Sequence, residues 1–162
     1  HFTYRDFIQC GETQRNLGIA NLPRRPETYN AINALCRDLL DPIIDYFGAI
    51  KLTYGFASPG LTKHIRGAIA PKLDQHVGCE VSSGGELICP RGGAACDFII
   101  EDEDMRGVAD WIMTNLPFDR LYYYGKSRSI HLSYSRTPAG AAFEMAPSPS
   151  GRIVPRPLRL LT

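Results

Sequence analysis

Three residues of metal-binding type stand in short stretches of distinctive composition. They are His76 in Asp74-Gln75-His76, Asp97 in Gly93-Ala94-Ala95-Cys96-Asp97-Phe98, and His131 in Ile130-His131-Leu132-Ser133. Two imidazoles and one carboxylate suit zinc, and three protein ligands leave a fourth position for water or substrate. Each residue alone has a plainer reading. A strand histidine is more often hydrogen-bonded into the structure, and a buried aspartate more often pairs with arginine or caps a turn.

The elements that must position these residues are legible in part. Thr3 can cap a helix from Tyr4 to about Cys10, and a polar stretch with prolines runs on to Pro26. From Glu27 to Phe47 apolar residues recur at helical spacing, through Ile32, Leu35, Leu39, Ile43 and Phe47. Pro42 predicts a kink or two abutting helices, with Asp41 capping the second and Gly48 ending it. Ile50 to Tyr54 reads as a strand. Ser58-Pro59 reads as a cap and first-turn proline for a helix carrying Leu61 and Ile65. The turn-rich stretch 78–92 reads as an excursion of hairpin type.

Ala95 to Ile100 reads as a buried strand, and Glu101 to Asp104 as the acidic first turn of a helix with Val108, Trp111, Ile112 and Leu116 on one face. Leu121 to Tyr124, Ser129 to Ser135 and Ala141 to Met145 read as further strands. Strand alternation places His131, Ser133 and Ser135 on one face, with Ile130, Leu132 and Tyr134 on the other. Helices first and short strands later, with few crossover helices, predict an α+β fold with a small antiparallel sheet flanked by helices.

At 162 residues the chain is long enough for one domain with a real core. We assign residues 1–147 to that domain, with an inserted loop 78–92, and 148–162 to a proline- and arginine-rich tail. The 18 lysines and arginines nearly balance 17 acids, so no global field draws the chain to nucleic acid or anionic lipid. Arg152, Arg156 and Arg159 offer only a local basic patch, a weak case for nucleic acid. No apolar run approaches membrane-spanning length. A start at His1 suggests a mature form or a piece of a larger protein. Five irregularly spaced cysteines argue against a disulfide scaffold. Cys79 and Cys89 could bridge a hairpin, but the balance leans to reduced thiols and a cytoplasmic setting.

From Phe2 to about Ser135 the chain resembles the D-alanyl-D-alanine carboxypeptidase family of zinc peptidases, whose fold is shared by the Hedgehog signalling domain. The likeness is carried by several stretches in order: Thr3-Tyr4-Arg5-Asp6-Phe7-Ile8 with Asn21-Leu22-Pro23, Leu40-Asp41-Pro42-Ile43-Ile44 through Phe47-Gly48, and Tyr54-Gly55-Phe56-Ala57-Ser58-Pro59. Gln75-His76, Gly93-x-Ala95-x-Asp97, and Phe118-Asp119-Arg120-Leu121 with Ile130-His131-Leu132-Ser133-Tyr134 complete it. The resemblance implies a Hedgehog/D-Ala-D-Ala-peptidase-like fold, with Zn2+ held by His76, Asp97 and His131 and a peptide or peptidoglycan-like ligand.

Departures from that family bear on activity. The stretch 78–92 separates His76 from Asp97, which is tolerable because loop closure costs grow slowly with length. The family's substrate-holding arginine falls at Ala57, and its base falls at Arg128 or Tyr124. Neither side chain is a good base at neutral pH. Glu80, Glu86 and Glu144 are candidate substitutes, and Tyr124 and Ser133 candidate ligand contacts. The resemblance therefore implies a diverged zinc domain with peptidase chemistry absent or altered. The alternatives are an active zinc hydrolase of peptide or amide bonds with a relocated carboxylate base, and zinc chemistry on a non-peptide substrate.

Overall fold

The apolar run from Glu27 to Phe47 stays helical throughout in the computed structural model, which describes residues 1–9, 11–65 and 73–161. Helix α3 (Pro26–Leu35) passes into a π-helical turn (Cys36–Leu40) and then α4 (Asp41–Phe47). Pro42 has no N–H, and its ring would clash with the carbonyl four residues back. The wider turn accommodates both: the Asp41 N–H reaches back to the Cys36 carbonyl. Asp41 is itself helical, with φ −61° and ψ −46°, so the two abutting helices are joined through this bulge and Asp41 does not cap the second. Gly48, at φ 91°, ends the run.

Two shorter helices precede it. In α1 (Tyr4–Ile8) the Asp6 carboxylate accepts from the Thr3 backbone N–H at 2.7 Å and hydroxyl at 2.8 Å. Helix α2 (Glu12–Leu17) buries no side chain, so it left no apolar period for the sequence to reveal. Ser58 caps α5 (Pro59–Thr62) as expected, accepting from the Leu61 N–H at 3.2 Å. That helix ends before Ile65, while Pro71 and the expected end of the first helix at Cys10 lie outside the described residues. Asp104 caps α6 (Met105–Asn115), so the acidic run precedes this helix rather than forming its first turn.

The sheet has six strands, β1 (Lys51–Tyr54), β2 (Ala94–Ile99), β3 (Arg120–Tyr123), β4 (Ile130–Tyr134), β5 (Ala141–Pro147) and β6 (Ile153–Pro157), in the order β1-β2-β4-β3-β5-β6. It is mixed where an antiparallel sheet was expected, because β5 lies parallel to β3. After β4 the chain crosses the end of β3, and buried Asp119 fastens the crossing. Its carboxylate accepts from the Ala139 N–H at 3.0 Å and its carbonyl from the Ala141 N–H at 3.1 Å. The proline- and arginine-rich tail also joins the sheet, since β6 pairs antiparallel with β5 and Leu158 is buried against the core. Pro155 and Pro157 are tolerated there because β6 is an edge strand.

One sheet face carries Cys96, Phe98, Leu121, Ile130 and Leu132, all fully buried in one cluster with Leu35, Leu39, Ile43, Val108 and Ile112 from the helices. That apolar layer, with the alternation of strand side chains, leaves the opposite face for polar residues. Among the described residues no helix is long and apolar enough to cross a membrane.

Candidate metal centre

Pairing register assembles the site. Tyr54 lies opposite Asp97, Asp97 opposite His131, His131 opposite Tyr122, and Tyr122 opposite Phe143. One row thus runs across five strands on the face away from the core. A bulge between Leu52 and Tyr54 brings Tyr54 into it, and the Tyr54 ring stands edge-on to His76 with centroids 4.9 Å apart.

His76 comes from elsewhere, a single 3-10 turn over Gln75–Val77. The Ala57 N–H donates to the His76 carbonyl at 2.9 Å, tying the turn to the loop after β1. Asn21 braces that loop, donating to the Phe56 carbonyl at 2.7 Å and accepting from the Ser58 N–H at 2.7 Å. Gln75 donates to the carbonyls of Gly92 (2.9 Å) and Tyr134 (3.2 Å), fixing the turn to the start of β2 and the end of β4. Gly93 permits this approach: a Cβ there would sit 1.9 Å from the Tyr134 oxygen.

The three residues expected to act together meet. Asp97 Oδ1 lies 3.2 Å from His76 Nε2 and 2.9 Å from His131 Nδ1. Both separations are hydrogen-bond distances, so the Asp97 carboxylate bridges the two imidazoles. His76 Nδ1 lies 2.6 Å from the Gly55 carbonyl, which requires a proton on that nitrogen. Nε2 is therefore the nitrogen that faces Asp97: it donates to the carboxylate while the ring is protonated and would be free to ligate a metal ion once that proton is lost, with Nδ1 anchored as metal-binding histidines commonly anchor it. Both imidazoles are buried, at 3% and 8% exposure.

A fourth residue, Asp74, was not expected as a ligand. Its Oδ1 accepts from the His76 N–H at 2.8 Å and lies 3.9 Å from His76 Nε2. Asp74, His76 and His131 place ligand atoms within 4.8 Å of one another, close enough to hold a metal ion. The signal was local: a carboxylate two residues before a histidine caps a tight turn and folds back over it. That donor set, two imidazoles and one carboxylate, suits a divalent metal ion, and Asp97 adjoins it through its hydrogen bonds to both imidazoles.

The electrostatics follow from this crowding. Burial alone would lower the His76 imidazole, but the Asp74 and Asp97 carboxylates, with hydrogen bonds to Asp97 and Gly55, raise it to about 9. Burial would raise Asp97, yet His76 and His131 hold its carboxyl well below the usual carboxylate range. Burial, with Asp97 and Asp74 nearby, pushes the Tyr124 phenol up to about 12.

No family model, curated protein or solved structure matches the chain.

The other candidates divide. Tyr124 lines an open cavity of about 510 Å³ that Asp97 also lines. Ser133 is fully buried and occupied by the neighbouring strand, its hydroxyl accepting from the Arg120 N–H at 3.0 Å, so it is not available to a ligand. Glu144 pairs with Tyr123, one position along from the Tyr122–Phe143 pair, and so faces the opposite side of the sheet from the cluster. Glu86 is exposed in the turn closed by the Val81–Leu87 bridge. Glu80 is buried and structural, accepting from the N–H groups of Arg24 (3.1 Å) and Arg25 (3.3 Å) and from the Thr28 hydroxyl (2.8 Å). The stretch 78–92 thus supplies the side-chain acceptor that the N-cap residue of α3, Arg25, cannot. Cys79 and Cys89 carry free thiols.

Proposed function

We propose that this chain is a zinc-binding domain of the D-alanyl-D-alanine carboxypeptidase and Hedgehog type, diverged so that the usual peptidase chemistry is absent or altered. The observation that carries the reading is the convergence of His76 Nε2, Asp97 Oδ1 and His131 Nδ1, with the Gly55 carbonyl fixing the His76 tautomer. The α+β architecture and the capped Ser58-Pro59 turn agree with it. The chemistry zinc supplies when bound is polarisation of a carbonyl and activation of water.

The chain's own residues argue against the ordinary reaction. Ala57 is fully buried and contributes a backbone N–H to the His76 turn, with no side chain to hold a substrate carboxylate. Tyr124 keeps its proton at neutral pH, and Arg128 cannot accept one. Glu80, Glu86 and Glu144 are committed or directed elsewhere. On this reading the domain uses its metal as scaffold and recognises a peptide or peptidoglycan-like ligand.

One observation favours a second reading, an active zinc hydrolase of peptide or amide bonds with a relocated base. Asp74 is a carboxylate at the cluster itself, 3.9 Å from His76 Nε2. Asp74 would serve a bound metal ion as a further ligand or, left uncoordinated, would be the nearby carboxylate able to take a proton from water. The test is zinc content followed by cleavage of peptides ending in D-alanyl-D-alanine, for the intact chain, His131→Ala and Asp74→Asn. One zinc per chain without turnover is the expected result. Turnover abolished by both substitutions establishes the hydrolase instead, and absence of zinc from the intact chain removes both readings.

A further inference from the structure

The cavity beside the cluster has a wall of donors. It opens between β1, β2 and the β3–β4 turn, and its polar lining includes Lys51, Thr53, Asp97, Tyr124, Arg128 and Ser129. The Thr53 and Ser129 hydroxyls meet at 2.9 Å, joining β1 to the turn and closing one rim. Lys51 is neutralised by Glu101 at 3.2 Å. Asp97, the one carboxylate in the wall, is engaged by two imidazoles. Arg128 has no acidic partner within ion-pair distance among the described residues; its guanidinium stands over the Tyr124 ring, 5.8 Å from the centroid. Such a ring contact orients the guanidinium without neutralising it.

We propose that this cavity receives a terminal oxyanion, a carboxylate or a phosphate, and that Arg128 is the residue that selects it. The guanidinium offers several donors in a planar fork that matches either oxyanion, and the neighbouring hydroxyls supply further hydrogen bonds. A neutral ligand of the same shape would meet donors it cannot satisfy. Arg128 thereby acquires a role in specificity at a position unsuited to proton transfer. The inference rests on the preceding reading only in placing the bound group beside a metal ion; the cavity and its charges stand without it.

The experiment is a heteronuclear NMR titration of the intact chain with two matched pairs, N-acetylglycine against N-acetylglycinamide and glycerol phosphate against glycerol. Each is run with zinc and again with chelator, and zinc content is measured on the same samples. At least one anion is expected to bind about tenfold or more tightly than its neutral partner, with shifts centred on the Thr53, Ser127 and Ser129 amides. The pair that discriminates names the source. Arg128 is exposed, so Arg128→Gln leaves the fold intact and should level the preference, while Arg128→Lys should retain part of it. Equal binding within both pairs, a preference undiminished in Arg128→Gln, or shifts centred elsewhere would overturn the proposal. Missing zinc would instead sink the metal reading and leave the anion preference in chelator to be judged separately.

Discussion

Asp97→Asn isolates the charge at the heart of the cluster while keeping its shape. In chelator-treated protein the carboxylate accepts from His131 at 2.9 Å and His76 at 3.2 Å, and an asparagine oxygen can occupy the same place. A hydrogen bond to a charged group contributes about 1.5–3 kcal/mol against about 0.5–1.5 kcal/mol for a neutral one. Two such bonds lose roughly 2–3 kcal/mol together, and since the Asp97 side chain is 31% exposed, solvent screening sets the expectation near 2 kcal/mol. The sign with pH follows from both partners. Asp97 is depressed from 3.8, so its contribution is present above that value and fades as acid approaches its folded pKa. His76 is raised from 6.5 to about 9, so its contribution is full below 6.5 and lost as pH rises through 9. The difference between wild type and Asp97→Asn should therefore be greatest near pH 5.5 and fall to about half or less by pH 9.5. Urea denaturation followed by circular dichroism at both pH values, with unchanged m-values, reads it directly. A difference below about 0.5 kcal/mol at pH 5.5, or one that grows towards pH 9.5, would refute the coupled-charge account.

Gly93→Ala should destabilise the chain by at least about 3 kcal/mol, because φ is +85° and the new Cβ would strike the Tyr134 oxygen, a backbone atom that cannot step aside. A thermal-unfolding loss under about 1 kcal/mol would show that β2 and β4 can separate there. Glu80→Ala leaves two backbone N–H groups and the Thr28 hydroxyl without their buried acceptor. It should cost about 2–4 kcal/mol in chemical denaturation, with Glu80→Gln intermediate, and a neutral outcome would deny Glu80 its role in capping α3. Burial, reinforced by the Asp41 carboxylate, pushes the Cys36 thiol up to about 12. Alkylation of Cys36 by iodoacetamide at pH 8 should run about a thousandfold slower than that of a free thiol, and a rate within tenfold would contradict that environment.

Much of the fold was legible because its signals were local. The apolar period from Ile32 to Phe47, the cap at Ser58 and the alternation around His131 each recur as helix, helix start and strand. Asp97 and His131 stood out by residue type while their role as ligands rested on the resemblance, and register explains their meeting: adjacent strands put them directly opposite. What stayed hidden depended on distant partners. Nothing near Pro42 announces that a π turn joins the two abutting helices, since the extra residue is absorbed by packing of Leu39, Leu40 and Ile43 into the core. The parallel pairing of β5 with β3 comes with a crossover that Asp119 fastens from twenty residues away in sequence. β6 was obscured by its prolines, which an edge strand accommodates. Asp74 escaped notice as a ligand because a carboxylate before a histidine reads first as a cap, which it also is.

Zinc K-edge absorption spectroscopy on the intact chain loaded with one equivalent of zinc tests the central claim most directly. The account predicts a first shell of nitrogen and oxygen at about 2.0–2.1 Å, with outer-shell scattering from two imidazoles and no sulfur contribution. His131→Ala should remove one imidazole from that pattern. A sulfur shell near about 2.3 Å, or a spectrum unaltered by His131→Ala, would place the metal elsewhere and contradict the account.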